Sequence, residues 1–185
     1  MRDWMEMVES VTGQEMLAPE SIPNIELYMD QILTLLDREL GGTKRNEEDK
    51  IMTKTMINNY SKEKLLPPSN KKKYSSHHIL LLALIYELKQ VLSIQDIHLL
   101  LGPMVNDEEA LLHFYQVYME RQKEQRTLLK QQMQEETVDD LRTIAAALSA
   151  RAALEIRLAE RLLDAIDAEE KASSAGSSEE EKKQD

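Results

Sequence analysis

The chain of 185 residues contains no cysteine, which excludes disulfides, thiolate metal sites and a thiol nucleophile and fits a reducing, cytoplasmic compartment. It has one phenylalanine, one tryptophan and five glycines, and no sustained alternation of apolar and polar residues from which to build a sheet. The longest apolar run, residues 79–86, is well short of the about 20 residues that a bilayer requires, so no membrane span is expected. Residues 1–13 carry Asp3, Glu6 and Glu9 where a secretory signal has a basic segment and then an apolar one, so no signal peptide is expected. GxGxxG, GxSxG and the P-loop pattern are all missing. Of the four histidines, His77, His78, His98 and His113, no two stand four apart as in a helical metal site. No metal, no cofactor and no enzymatic activity are therefore expected.

What the chain does have is charge, unevenly spread. Its formal charge is −11, yet residues 50–73 hold seven lysines (50, 54, 62, 64, 71, 72, 73) against one acid, Glu63. That segment is +6, so everything else sums to −17. A basic island in an acidic chain points to a local anion site, and a nucleic-acid backbone is the commonest large anion.

Helical periodicity organises the rest. Residues 1–16 place Trp4, Met5, Met7, Val8 and Val11 at helical spacing and stop near Gly13. A second helix is expected from Asn24 as N-cap, with Ile25, Tyr28, Ile32, Leu35, Leu36 and Leu40 on one stripe and Gly41 and Gly42 as its stop. Thr53 caps a short helix to about Lys62, and Pro67 and Pro68 bar its continuation. Residues 77–90 are apolar on most sides and predict the central core helix. Ser93 followed by Asp96 is a capping-box pattern for a helix ended by Gly102 and Pro103. Residues 106–109 start another helix through Tyr115 and Tyr118, 122–136 is polar and weakly patterned, and a stripe from Leu141 through Ile144, Leu148, Ile156 and Leu163 to Ile166 forms a C-terminal arm. This arm either pairs with a second copy or docks on its own chain. The Ser/Glu/Lys-rich residues 172–185 have the composition of a disordered tail.

On a helix starting at Thr53, Met56, Ile57 and Tyr60 share the anchoring side, while Lys54, Thr55, Asn58, Asn59 and Lys62 face outward. Lysines neutralise phosphates, and the asparagine amide matches adenine in the major groove, so this is the composition of a recognition helix. The following LLPPSNKKKYS reads as a stiff turn and a tight basic hairpin that places Lys71, Lys72 and Lys73 beside that helix.

With those pieces in hand, residues 53–101 resemble the winged helix-turn-helix of MerR-type transcription regulators: MINNYSKEKLLPP, then KKKYS, the apolar helix, and LSIQDIHLLL. The resemblance carries the family's helix arginine onto Asn58, its paired tyrosines onto Asn59 and Tyr60, its wing arginine onto Lys72 and its wing tyrosine onto Tyr74; Lys64 stands where the family has glycine. Residues 22–101 are also similar to an uncharacterised family of low-GC Gram-positive bacteria with the signature IPxIxLYMDQ, TKTMINNYxKxxLLPPxxKKKY and HILLLxLIYxLK.

The expectation is thus an all-α protein with a MerR-like winged helix-turn-helix core: an N-terminal helical extension over 1–21, the core over 22–104, a helical arm over 105–171 and a tail over 172–185. The resemblance implies a transcription regulator binding double-stranded DNA; the absence of cysteine places it in the cytoplasm, and the apolar arm is expected to form a homodimer through residues 138–166. Lys54, Thr55, Asn58, Asn59 and Lys62 would contact the groove, and Lys71, Lys72, Lys73 and Tyr74 the phosphates. The alternative is an acidic helical adaptor that keeps the scaffold and binds a protein through its Met-rich and aliphatic surfaces.

Overall fold

The computed structural model describes residues 4–135 and 140–181. Positions 1–3 of the expected N-terminal extension, 136–139 of the expected arm and the last four residues of the expected tail lie outside the described residues. Among the described residues seven α-helices run α1 (Trp4–Thr12), α2 (Met29–Leu40), α3 (Lys54–Lys62), α4 (Ser76–Leu88), α5 (Ile94–Leu101), α6 (Glu108–Glu135) and α7 (Leu141–Glu181). Two two-residue strands, β1 (Leu27–Tyr28) and β2 (Lys73–Tyr74), pair antiparallel with Leu27 opposite Tyr74 and Tyr28 opposite Lys73.

The core is laid around α4. Ten of its thirteen residues are buried, from His77 to Leu88, as expected of a helix that is apolar on most sides. Leu111 and Tyr115 belong to α6, which packs against α4; the same buried cluster takes in Ile32, Leu35, Leu36 and Leu40 of α2, Ile57 and Tyr60 of α3 and Ile97 and Leu101 of α5. A smaller cluster joins Val8 of α1, Met133 of α6 and Ile144 of α7, with Trp4 donating its indole N–H to the Met133 carbonyl at 3.0 Å. Helix α1 is thereby held against the end of α6 and the start of α7.

Local chemistry accounts for most boundaries. Thr53 accepts a hydrogen bond from the Met56 N–H, and Ser93 and Asp96 form the reciprocal box the sequence predicts. Asp107 accepts from the Ala110 N–H to start α6.

Several expectations need correction. Asn24 caps nothing: α2 begins at Met29, and the Tyr28 N–H is bonded by the Gln31 side chain at 2.8 Å. Ile25 and Tyr28 therefore precede the helix instead of lying on its inner stripe, and both are exposed, at 68% and 54%. The polar stretch after Gln122 is helical throughout α6 because only a narrow line of it, ending at Met133, needs to be buried. Helix α7 runs on to Glu181, past residue 172, where the sequence reading places the start of a Ser/Glu/Lys-rich tail.

Of the two fates left open for the arm, one is observed. Ile144 and Leu163 of α7 are buried within its own chain, Leu163 in the main core beside α5.

Tyr115 ties the segment after α1 to α6: its ring is fully buried and its hydroxyl donates to the Leu17 carbonyl at 2.7 Å. Burial, with smaller contributions from Glu87 and Tyr118, pushes its phenol far above the ordinary value. A raised folded-state pKa gives stability that is complete below the unfolded value of about 10 and is lost as pH rises beyond it. Tyr115→Phe should cost about 1–3 kcal/mol at neutral pH through the orphaned Leu17 carbonyl. In urea titrations the variant should also lose less stability than the parent between neutral pH and pH of about 11.

Candidate functional site

Three short pieces of chain build the surface that carries the lysines. Helix α3 is held by Ile57 and Tyr60, both buried, with Met56 half-buried beside them. Its outward residues Lys54, Thr55, Asn58, Asn59 and Lys62 are all exposed. The predicted division of this helix into an anchoring and a presenting side is what the structure has.

At its end the chain reverses through Lys64, which takes a φ of 57°. The Leu65 N–H donates to the Tyr60 carbonyl at 2.9 Å and the Lys64 N–H to the Ser61 carbonyl at 3.2 Å. This is the helix stop for which glycine is the usual residue, because a left-handed backbone crowds a Cβ. Leu65 and Leu66 then bury themselves in the core.

The segment expected as a basic hairpin is smaller than anticipated and is braced differently. Asn70 to Lys73 is a tight turn closed by the Lys73 N–H donating to the Asn70 carbonyl at 2.8 Å. Lys71 and Lys72 occupy its two central positions with φ of 50° and 63°. Positive φ at both centres is the signature of a type I′ turn, for which Asn-Gly is the favoured pair. Each lysine there costs about 1–2 kcal/mol relative to a right-handed position. The strand leaving the turn pairs with β1, immediately before α2, so the turn is fastened to the start of α2.

These three lysines, 64, 71 and 72, are the only non-glycine residues with positive φ among the described residues, and no described glycine has one. Lys71 and Lys72 are exposed, and among the described residues neither has an acid within ion-pair distance. Lys73 is half-buried with its ammonium 5.5 Å from the centre of the Tyr28 ring, within cation–π range. Lys54 is paired at 2.6 Å with Asp30 in the first turn of α2. The start of α2 thus touches both the N-terminal end of α3 and the lysine turn, and brings them onto one surface.

Two of the named residues sit apart from that description. Tyr74 is buried at 6% exposure and meets the His78 ring edge-on at 5.3 Å, so it positions the turn from below. Lys64 lines a cleft with His98, Gly102 and Glu170 of α7, on the side of α5. Tyr28 was missed: the apolar stripe of α2 absorbed it in the sequence, although a tyrosine two residues before an acid at a helix start was a signal of its own.

His78 holds the base of the turn. Its Nδ1 accepts from the Ser75 N–H at 3.1 Å and lies 3.0 Å from the Ser75 hydroxyl, so Nε2 carries the proton and donates to the Pro67 carbonyl at 3.1 Å. Burial is the largest influence on this imidazole and lowers its pKa; the hydrogen bond to the Pro67 carbonyl opposes it, His77 lowers it further, and Glu108 and Glu26 oppose by less. The folded state thus takes up fewer protons than the unfolded chain below the unfolded value of about 6.5, and stability falls as pH drops through that range. In denaturation series from pH of about 7.5 to 5, the parent should lose stability and His78→Ala should lose less, starting from a lower value at neutral pH.

Among the described residues no group of three His, Asp or Glu side chains converges as metal ligands, and no helix is long and apolar enough to cross a membrane. No curated protein and no solved structure matches the chain. A model of the domain-of-unknown-function family DUF1836 matches residues 17–120. The matched stretch starts ahead of β1, takes in α3, the lysine turn, α4 and α5, and ends within α6. As that is more than half of its length, the chain belongs to the DUF1836 family.

Proposed function

We propose that the chain is a DNA-binding transcription regulator of the MerR-like winged helix-turn-helix kind, acting in the cytoplasm as a homodimer. In this reading α3 presents Lys54, Thr55, Asn58, Asn59 and Lys62 to the major groove. The Asn70–Lys73 turn serves as a short wing whose lysines meet the flanking phosphates.

The observation that carries the proposal is the placement of Lys71 and Lys72. Folding alone favours asparagine and glycine at those two positions, and lysine opposes it twice over, through the left-handed backbone and through the mutual repulsion of adjacent ammonium groups. Strained residues that persist at an exposed tip are a mark of function. A cation held outward on a braced turn is the arrangement that phosphate contact requires.

Lysine is a flexible point charge without the bidentate geometry of arginine, so the turn supplies affinity and register. Base preference would then come from Asn58 and Asn59, whose amides are exposed on the middle of α3.

The test follows from the strain. Replacing Lys71→Asn and Lys72→Gly together should stabilise the protein by about 1–2 kcal/mol in denaturant titration. The same change should weaken binding to a short random-sequence duplex and flatten the logarithmic salt dependence by about two charges. An unchanged salt slope rejects the assignment and favours the adaptor alternative. Asn58→Ala should leave random-duplex affinity nearly intact, yet relax base preference by about 1–3 kcal/mol at one position among genomic fragments selected by the protein.

A further inference from the structure

Helix α7 has two apolar sides and the fold uses one of them. Ile144, Ile156, Ala159 and Leu163 turn toward the rest of the chain. Leu154, Leu158 and Leu162, spaced four apart, are 62%, 63% and 59% exposed. At 3.6 residues per turn, Leu158 points roughly 140° away from the buried Leu163, so this ridge cannot reach the core that α7 already covers. Isolated exposed leucines need no explanation, but three in a row on one helix make a patch that water disfavours.

We infer that a second copy of this chain covers the ridge, with the two α7 helices antiparallel across a two-fold axis passing by Leu158. The inference rests on the homodimeric part of the functional reading and adds to it the face and the direction of pairing. A two-fold interface must be complementary to itself, so a residue k positions before the axis has to suit the one k positions after it. About Leu158 this sets Leu154 against Leu162 of the second copy, and the reverse.

Parallel pairing would also match leucine with leucine, and charge decides between the two. Residues 153–163 are neutral, with Glu155 and Glu160 offset by Arg157 and Arg161. The eleven residues before them, 142–152, carry Arg142 and Arg151 and no acid, for +2. The mirror-related eleven, 164–174, carry four acids against Lys171, for −3. Antiparallel helices put +2 against −3 at both ends, whereas parallel helices put like against like at both. Such exposed charges are screened beyond about 8 Å, so they select the orientation while the leucines supply the attraction.

Because the chain has no cysteine, an introduced one reports a single position. The full-length protein should sediment as a dimer, and Leu158→Glu should make it a monomer with unchanged helical circular dichroism, since that side chain is exposed in the folded chain. Under mild oxidation Leu158→Cys should link to itself in high yield. Leu154→Cys and Leu162→Cys should each fail alone, because their copies lie about 12 Å apart along the axis, beyond the about 6 Å Cα separation of a disulfide. Mixed together, those two variants should link. Self-linking of all three means parallel pairing and overturns the inference, as does a monomeric parent. A dimer in which Leu158→Cys does not link also overturns it but leaves the homodimer standing, and duplex binding by the lysine turn is scored separately by its salt slope.

Discussion

His78 bonds to both ends of the loop that carries the lysines, accepting from the Ser75 N–H and donating to the Pro67 carbonyl. Between those two points lie a tight turn with two left-handed residues and three consecutive ammonium groups. Left to itself such a loop would open, because about 2–4 kcal/mol of backbone strain and the repulsion among the lysines both favour it. What opposes opening is buried beneath: Leu65 and Leu66 on one side, Tyr74 on the other, and the edge of the His78 ring against Tyr74. Helix α4 can serve as the foundation because it is enclosed on nearly every side. An imidazole at its third position fixes the loop to a helix that is buried along most of its length.

Strand β1 supplies the second constraint. Two-residue strands are too short to be stable by themselves, and β1–β2 persists because Leu27 and Tyr74 are both buried where they pair. Its consequence is geometric. Pairing to β1 sets the turn beside the start of α2, and the Asp30–Lys54 pair sets the start of α3 there too. That ion pair is exposed on both sides, so it contributes little to stability. Lys54 can therefore exchange Asp30 for another anion at small cost.

The helices were legible in the sequence wherever a cap and a periodic face coincided, as at Thr53 with Met56, Ile57 and Tyr60, and at Ser93 with Asp96. The lysine island was legible as well, because charge contrast survives without knowledge of the fold. The β1–β2 ladder was not: two residues per strand leave no alternation to detect, and its partners lie more than forty positions apart. Ile25 and Tyr28 were misplaced for a related reason, since helical spacing also fits residues that precede a helix. The left-handed backbone at Lys64, Lys71 and Lys72 was hidden by residue type, because propensity assigns such positions to glycine and asparagine. The departure of Lys64 from the glycine of the MerR-type pattern was visible, but its meaning depended on the φ angle. The second half of α6 was not legible because a helix buried along a narrow line needs few apolar residues.

Charge also explains why the lysines must project. The island is +6 and everything else −17, so a polyanion met at long range is repelled by the protein as a whole. Screening confines that repulsion to about 8–10 Å at moderate ionic strength. Inside that distance the nearest charges dominate, and attraction follows only if the first groups to arrive are cations. A turn raised on a two-residue ladder, with its two central side chains exposed, meets that condition better than lysines distributed along a helix lying flat on the surface. The same balance makes misoriented encounters repulsive, so the acidic body disfavours loose non-specific association and leaves one productive approach. In the proposed reading, α3 would arrive beside the turn with Asn58 and Asn59 exposed, and the lysines would set the register and leave sequence discrimination to the amides.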